Sequence, residues 1–400
     1  MPETTTIAPT VQAVYLLALA RNFQPRHAEL LTLQLGSIEA LLDAPEDALR
    51  QLPLTGGALA RLLDARAGCD PAAELAQLAA RGIAFLGWGT PEYPRLLADC
   101  ADAPVGLFCQ GDLSLLQHDG LAVVGSRKCS ETGRRLARDF GRDIAELGLP
   151  VVSGLALGID GAAHEGALEV RGPTVAVLGC GVDVCYPPQH HELYARIAQH
   201  GLIVSEYAPG TEPRKEHFPQ RNRIISGLAR GTLVVEAPLG SGALITAQTA
   251  LEQGRDVFAL PGPVGSPLVK GCHHLIKHGQ AKLVEDVDDI LAEYGTNKSI
   301  LRKQKYATAE LFGGTDQSAE PVGGTMDQAD GGSRTADKHP PDALSPDERQ
   351  VLEGLSYEGT HVNELVRRLG ISTAECIARL TLLEIRGLIS AASGGYYVRL

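Results

Sequence analysis

From Leu121 onward the chain alternates short apolar runs with longer segments of mixed character. The runs Leu121–Val124, Pro150–Val152, Thr174–Leu178, Leu202–Val204, Thr232–Val235 and Val257–Leu260 are short and mostly apolar throughout. That is the pattern of strands covered by helices on both faces. Strand-like and helix-like segments in turn predict an α/β domain with a Rossmann-like, doubly wound and mostly parallel sheet. Ahead of it the spacing is helical over Val11–Leu19, Ala28–Leu35, Ser37–Leu42 and Ala58–Ala67, with Gly36 placed to end one helix and Ser37 to cap the next. The turn Leu52-Pro-Leu-Thr-Gly-Gly57 suits a SAM-like or helix-hairpin-helix module, whose backbone amides can meet a phosphate. A plain helical docking module is the reading preferred.

Between Tyr294 and Leu344 the pattern lapses into Gly, Thr, Asp, Gln and Lys, the composition of a flexible linker. Ser345-Pro-Asp-Glu348 then predicts a helix start, with a capping box and a proline at its first position. Ser372 and Glu375 start a further helix running to Arg386, and Leu388–Leu400, with Gly394-Gly395 in its middle, predicts a hairpin. Three helices and a hairpin make a winged helix. The expected organisation is an N-terminal helical domain over 1–85, the α/β domain over 86–293, a linker over 294–343 and the C-terminal winged helix over 344–400.

No leader pattern and no uninterrupted apolar stretch of about 18 residues is present, so a soluble, unexported protein with no membrane contact is expected. The eight cysteines are scattered without a CxxC pair, which suits reduced thiols in the cytoplasm. Cys180, Cys185, His190 and His191 match no zinc spacing, and no metal site is expected. A net charge of −12 argues against a polyanionic partner until its distribution is considered. Leu121–Arg230 holds 13 basic and 12 acidic residues, a net of +1, which leaves −13 for the remainder. The acidity lies elsewhere.

Ligands of a doubly wound sheet sit beyond the carboxyl ends of its strands. The residues that follow the predicted strands are small and polar: Gly125-Ser126-Arg127-Lys128, Ser153-Gly154, Gly179-Cys-Gly181, Ser205-Glu206, and Glu236 ahead of Gly240-Ser241-Gly242. Glycines there would let phosphates approach the backbone and the helix starts behind them. Arg221, Asn222 and Arg223 open a helix at the same rim, and with Arg127 would offer planar guanidiniums to a polyanion. Pairing of one or two of these arginines with Glu206 or Glu236 is the competing structural role. Gly179-x-Gly181 lacks the third glycine of a dinucleotide loop, and no Walker A sequence is present, so no cofactor is expected. Ser153, Asp160 and His164 could be drawn as a triad, but no GxSxG elbow surrounds the serine. An N-cap aspartate and a helix-surface histidine are simpler.

The motifs Val123-Val-Gly-Ser-Arg127, Ser153 to Asp160 with Ala163-His164, Gly179 to Asp183 with Tyr186-Pro187, Phe218 to Arg223, Ser241 to Thr246 and Pro261-Gly262 occur in fixed order. Together they resemble the DprA (Smf) DNA-processing family. The resemblance implies a protein, not an enzyme, that coats single-stranded DNA and helps load the RecA recombinase in natural transformation. It also implies a homodimer formed through the Rossmann-like domain. Arg127 and the Arg221-Asn-Arg223 helix start match positions that the family uses around its DNA pocket, and with the rim residues read above the expected DNA-binding set is Gly125, Ser126, Arg127, Lys128, Ser153, Gly154, Gly179, Gly181, Arg221, Asn222, Arg223, Ser241, Gly242 and Thr246. Two departures stand out: His273 where the family usually has Asn, and Gly279-Gln280 where it usually has Gly-Ala. The winged-helix segment Ser345–Leu400, with six basic and seven acidic residues, is expected to serve protein contacts rather than duplex DNA. Two enzymatic alternatives are a related nucleoside-monophosphate hydrolase, with Glu206 or Glu236 as its carboxylate, and a NAD-dependent oxidoreductase.

Overall fold

The computed structural model describes residues 8–52, 54–296, 346–355, 360–369, 371, 376, 379–380, 383, 389–392 and 396–399. These fall into two compact units, within Met1–Asp316 and Gln317–Leu400. The predicted linker lies almost wholly outside the described residues, as does Ser345.

The first unit is built on a nine-stranded sheet. Its strands are β1 (Ala84–Gly87), β2 (Gly106–Gly111), β3 (Gly120–Val124), β4 (Val151–Ser153), β5 (Thr174–Leu178), β6 (Leu202–Ser205), β7 (Ala229–Val234), β8 (Asp256–Ala259) and β9 (Lys282–Leu283), in the order β1-β2-β6-β5-β4-β3-β7-β8-β9. The six predicted strands are β3 to β8, paired parallel throughout. Strands β1 and β2 add an antiparallel edge that the apolar pattern did not reveal. Every residue of β3, β4, β5 and β6 is buried. Helices flank both faces: Val124, Val152 and Val177 face a core that includes Ile224 and Ala247, while Val123 and Val151 face one with Ile144 and Ala163. Each such aliphatic side chain contributes roughly 1.5–3 kcal/mol on burial.

The helices Glu131–Glu146 and Ile159–Glu169 pack backbone to backbone. A Cβ on Gly141 would stand 2.9 Å from the Ala163 Cα, so only glycine permits this approach. Six helices precede the sheet: Pro9–Ala20, Pro25–Leu35, Ala40–Asp43, Glu46–Arg50, Gly56–Gly68 and Pro71–Ala80. Gly36 ends the second with φ 86°, as its position suggests, and Ser37 Oγ accepts from the Ala40 amide at 3.3 Å. Leu17, Leu31, Leu41, Leu49 and Leu62 form their core, which also takes in Val105 beside β2.

The second unit contains the helices Pro346–Glu353 and Val362–Leu369 and a three-stranded antiparallel sheet of Thr360–His361, Tyr396–Arg399 and Ile389–Ala392. The hairpin pairs as its sequence predicts. Of the expected third helix, Cys376, Arg379, Leu380 and Leu383 are helical, and the rest lies outside the described residues. Val351, Leu365, Cys376 and Leu380 make this unit's own core.

Candidate nucleic-acid interface

Strand β3 has β4 on one side and β7 on the other, so the winding of the sheet reverses between β3 and β7. Loops leaving the carboxyl ends of those two strands diverge and leave a crevice. Here it is an open cleft of about 800 Å³. Of the expected residues, Gly125, Ser126, Arg127, Lys128, Arg221, Asn222, Ser241, Gly242 and Thr246 line it. Gly154 and Gly179 line a smaller recess of about 60 Å³ that shares Arg127, Tyr186, Phe218 and Arg221 with the cleft. Ser153, Gly181 and Arg223 line neither.

Arg127, Lys128 and Lys215 are exposed at the cleft, and none is ion-paired among the described residues. The Arg127 guanidinium stands 5.2 Å from the centre of the Phe218 ring, and the Tyr186 and Phe218 rings are 5.3 Å apart. Cations beside aromatic faces suit a chain of phosphates and bases. Lys215 and Tyr186 were not among the expected residues, although an aromatic beside Pro187 in the loop after β5 was the available signal for Tyr186.

Arg221 corrects the expectation of a guanidinium facing the ligand. It is 3 % exposed, and its Nη1 donates to the Gly154 carbonyl at 2.8 Å and to the Val177 carbonyl. Burial lowers its pKa to about 10, partly offset by the charge of Asp160, and burial also pushes the Asp160 carboxyl up. Arg221 therefore ties the loop behind β4 to strand β5. Arg223 is a second correction. It leaves the opposite side of the helix His217–Gly227 and pairs with Glu206 at 2.5 Å, the bracing role held open above.

The glycines also act differently from the expectation. A Cβ on Gly125 would meet the Glu236 carbonyl at 2.9 Å, one on Gly154 the Arg221 Cζ at 2.7 Å, one on Gly179 the Phe218 ring at 3.0 Å, and one on Gly181 the Gly210 amide at 2.8 Å. The protein's own atoms fill those spaces. Gly242 alone of the expected glycines faces open space, at the first turn of the helix Gly242–Glu252. Its cap residue, Ser241, makes no side-chain capping bond, so that turn's amides lack a side-chain partner. The N-terminus of Glu131–Glu146 is already occupied. Glu236 accepts from the Ser130 amide at 2.8 Å and from the Ser130 hydroxyl at 2.5 Å, and Ser130 caps the helix through the Gly133 amide. Asn222 Nδ2 reaches the Gly242 carbonyl at 3.4 Å, tying the two walls of the cleft together.

Residues 84–295, more than half of the chain, match the family described as DNA recombination-mediator protein A, and residues 335–395 match the DprA winged helix domain. The chain belongs to the DprA family. A DNA processing protein DprA of Streptococcus pneumoniae is 51% identical over 202 residues, covering 50% of this chain and 71% of that protein. Protein Smf of Escherichia coli is 41% identical over 307 residues, 76% of this chain and 74% of its own. The X-ray structure of the Streptococcus pneumoniae DprA aligns with a TM-score of 0.60 at 38% identity, covering 72% of this chain and 99% of that one.

The remaining DprA motifs are structural here. Ser153 is fully buried and donates to the Val123 carbonyl at 2.6 Å. Asp160 lies inside its helix, behind Gly158 as cap, and accepts from the Gly154 amide at 3.2 Å. His164 is wholly buried rather than on a helix surface. Because the Thr174 hydroxyl donates to the Val151 carbonyl at 3.0 Å, it accepts from His164 Nδ1 at 2.7 Å, and no triad forms. His164 Nε2 has no partner, and burial holds the ring's pKa down at about 3. The folded state thus refuses a proton that the unfolded chain takes up below its ordinary value of 6.5. Stability contributed by the neutral ring is present above that value and lost as the pH falls towards 3, at about 1.4 kcal/mol per unit. A His164→Gln variant is expected to show a shallower loss of stability over this window in urea titrations at stepped pH. At the variant corner, His273 Nε2 lies 3.1 Å from the Gly262 carbonyl, and Gly279 keeps φ 66° at the end of Lys270–Lys277. Among the described residues no three metal-ligating side chains converge, and no helix is long and apolar enough to cross a membrane.

Proposed function

We propose that this DprA family member binds single-stranded DNA in the cleft at the β3/β7 switch point, without sequence preference and without turnover. The observation that carries the reading is the set of unpaired cations, Arg127, Lys128 and Lys215, beside the Tyr186 and Phe218 rings. Phosphates meet the three cations and the open first turn at Gly242, while a base rests against the aromatic wall. Glu206 and Glu236, the carboxylates a hydrolase would need, are engaged by Arg223 and Ser130, which speaks against catalysis. A dinucleotide site is equally disfavoured, because β5 leads into a long loop and a short 3-10 turn before the helix His191–His200. The family resemblance adds delivery of the strand to RecA in natural transformation and a homodimer through the Rossmann-like domain.

The test is a salt titration of fluorescent oligo-dT binding by full-length protein. Each phosphate contact contributes about 0.7 to the slope of log K against log salt for single strands. Arg127→Ala is expected to weaken binding and flatten the slope by about that amount, whereas Arg223→Ala leaves the slope unchanged. A folded wild-type protein that does not bind would overturn the reading.

A further inference from the structure

Helix His217–Gly227 has two working sides. Phe218 and Asn222 line the cleft, while His217, Gln220 and Arg223 line a separate cavity of about 370 Å³. The far wall of that cavity comes from the N-terminal helices, through Arg21, Asn22 and Gln24. Its floor is the residue pair that follows β6: Glu206, held by Arg223, and Tyr207, whose ring stacks 4.0 Å from that of His217. Nothing in the reading of the cleft uses this cavity.

Three observations give it a chemistry. Glu206 Oε1 and Arg223 Nη1 each lack a hydrogen-bond partner, leaving one acceptor and one donor unsatisfied at the floor. Arg21 and Asn22 at the mouth both have positive φ, 55° and 59°, a conformation that non-glycine residues adopt at a cost and that concentrates at ligand sites. Glu206 and Arg223 pair at the floor, the exposed Glu216 adds a negative charge to the lining, and Asn22, Gln24 and Gln220 add amides, which favours a neutral group carrying donors and acceptors over a bare phosphate there. Every nucleobase presents such a donor and acceptor side by side. The exposed Arg21, which donates to the Thr211 hydroxyl at 3.3 Å, stands 6.0 Å from the Tyr207 ring and has no ion pair among the described residues, is left for the adjoining phosphate. Strand β6 is three places from β3, about 14 Å at the usual strand spacing. That is about four nucleotides at the 3.4 Å spacing of stacked bases, and fewer where the strand is extended.

Building on the cleft reading, we propose that the cavity between the N-terminal helices and β6 is a second nucleotide subsite, which takes a base from the same strand a few nucleotides beyond the cleft. Two substitutions test it in the full chain. Arg21→Ala removes the mouth cation, and Gln220→Glu adds a negative charge while keeping an acceptor for the Tyr207 hydroxyl, which now donates to Gln220 at 3.1 Å. Binding is compared for an oligo-dT of about three residues, too short to span both sites, and one of about twelve. Both variants are expected to weaken the longer oligonucleotide about fivefold and to leave the shorter unchanged, while Arg127→Ala weakens both. Equal affinity of variant and wild type for the longer strand would overturn the subsite, as would equal weakening of both lengths. A wild type that binds neither length overturns the cleft reading itself, and the subsite with it.

Discussion

Replacing Arg221 by methionine is expected to destabilise the first unit by about 3–5 kcal/mol, the cost of breaking a buried, paired charge. The side chain fills the space over Gly154, and its loss leaves the Gly154 and Val177 carbonyls without their donor. It also leaves Asp160 buried without the cation that offsets its desolvation. Methionine restores much of the volume but none of the hydrogen bonds, so the loss registers as an unsatisfied polar site rather than as a void. Urea unfolding would read this as a lower midpoint at unchanged m-value. At temperatures where the variant stays folded, the salt slope of DNA binding is expected to match wild type, because no phosphate contact has gone. A flatter slope with unchanged stability would instead return Arg221 to the binding surface.

The largest binding effect is expected from removing the three exposed cations together. Arg127, Lys128 and Lys215 make no ion pair among the described residues, so alanine at each costs little stability. Three lost phosphate contacts should flatten the single-strand salt slope by about 2 and lower affinity at least a hundredfold near physiological salt. The effect should shrink as salt rises, since the contacts act through counterion release. Fluorescence anisotropy at several salt concentrations, with the unfolding midpoint as control, measures both quantities.

Strands β3 to β6 were legible because burial on both faces leaves a mostly apolar run, and β7 and β8 because their last residues, Leu233-Val234 and Val257 to Ala259, are buried in the same way. The β9 strand was not, since it is two residues long and exposed. Strand β1 ends at Gly87 and β2 begins and ends at glycines, within mixed surroundings, and the pairing of β2 with β1 and β6 is a tertiary fact. At the site, the loops after β3 and β7 announced themselves by composition. What spacing could not settle was which way each side chain points. Positions 221 and 223 are two apart on a helix of about 3.6 residues per turn, hence some 200° apart, so they cannot share a face. The glycines told a similar story. Sequence marks where a side chain is excluded, but not whether a phosphate or the protein's own Arg221, Phe218 or Glu236 excludes it.

Glu236 sits where the bridging pyrophosphate would dock in a dinucleotide enzyme, bound to Ser130, the cap residue of the helix behind β3. The protein thus carries a built-in occupant at that helix start. On the proposed function, a strand then lies across the rim between Arg127 and Gly242 rather than against that helix start. A groove used in this way is expected to engage the interior of a polymer, so a closed circle of single-stranded DNA should compete as well as a linear strand of equal length.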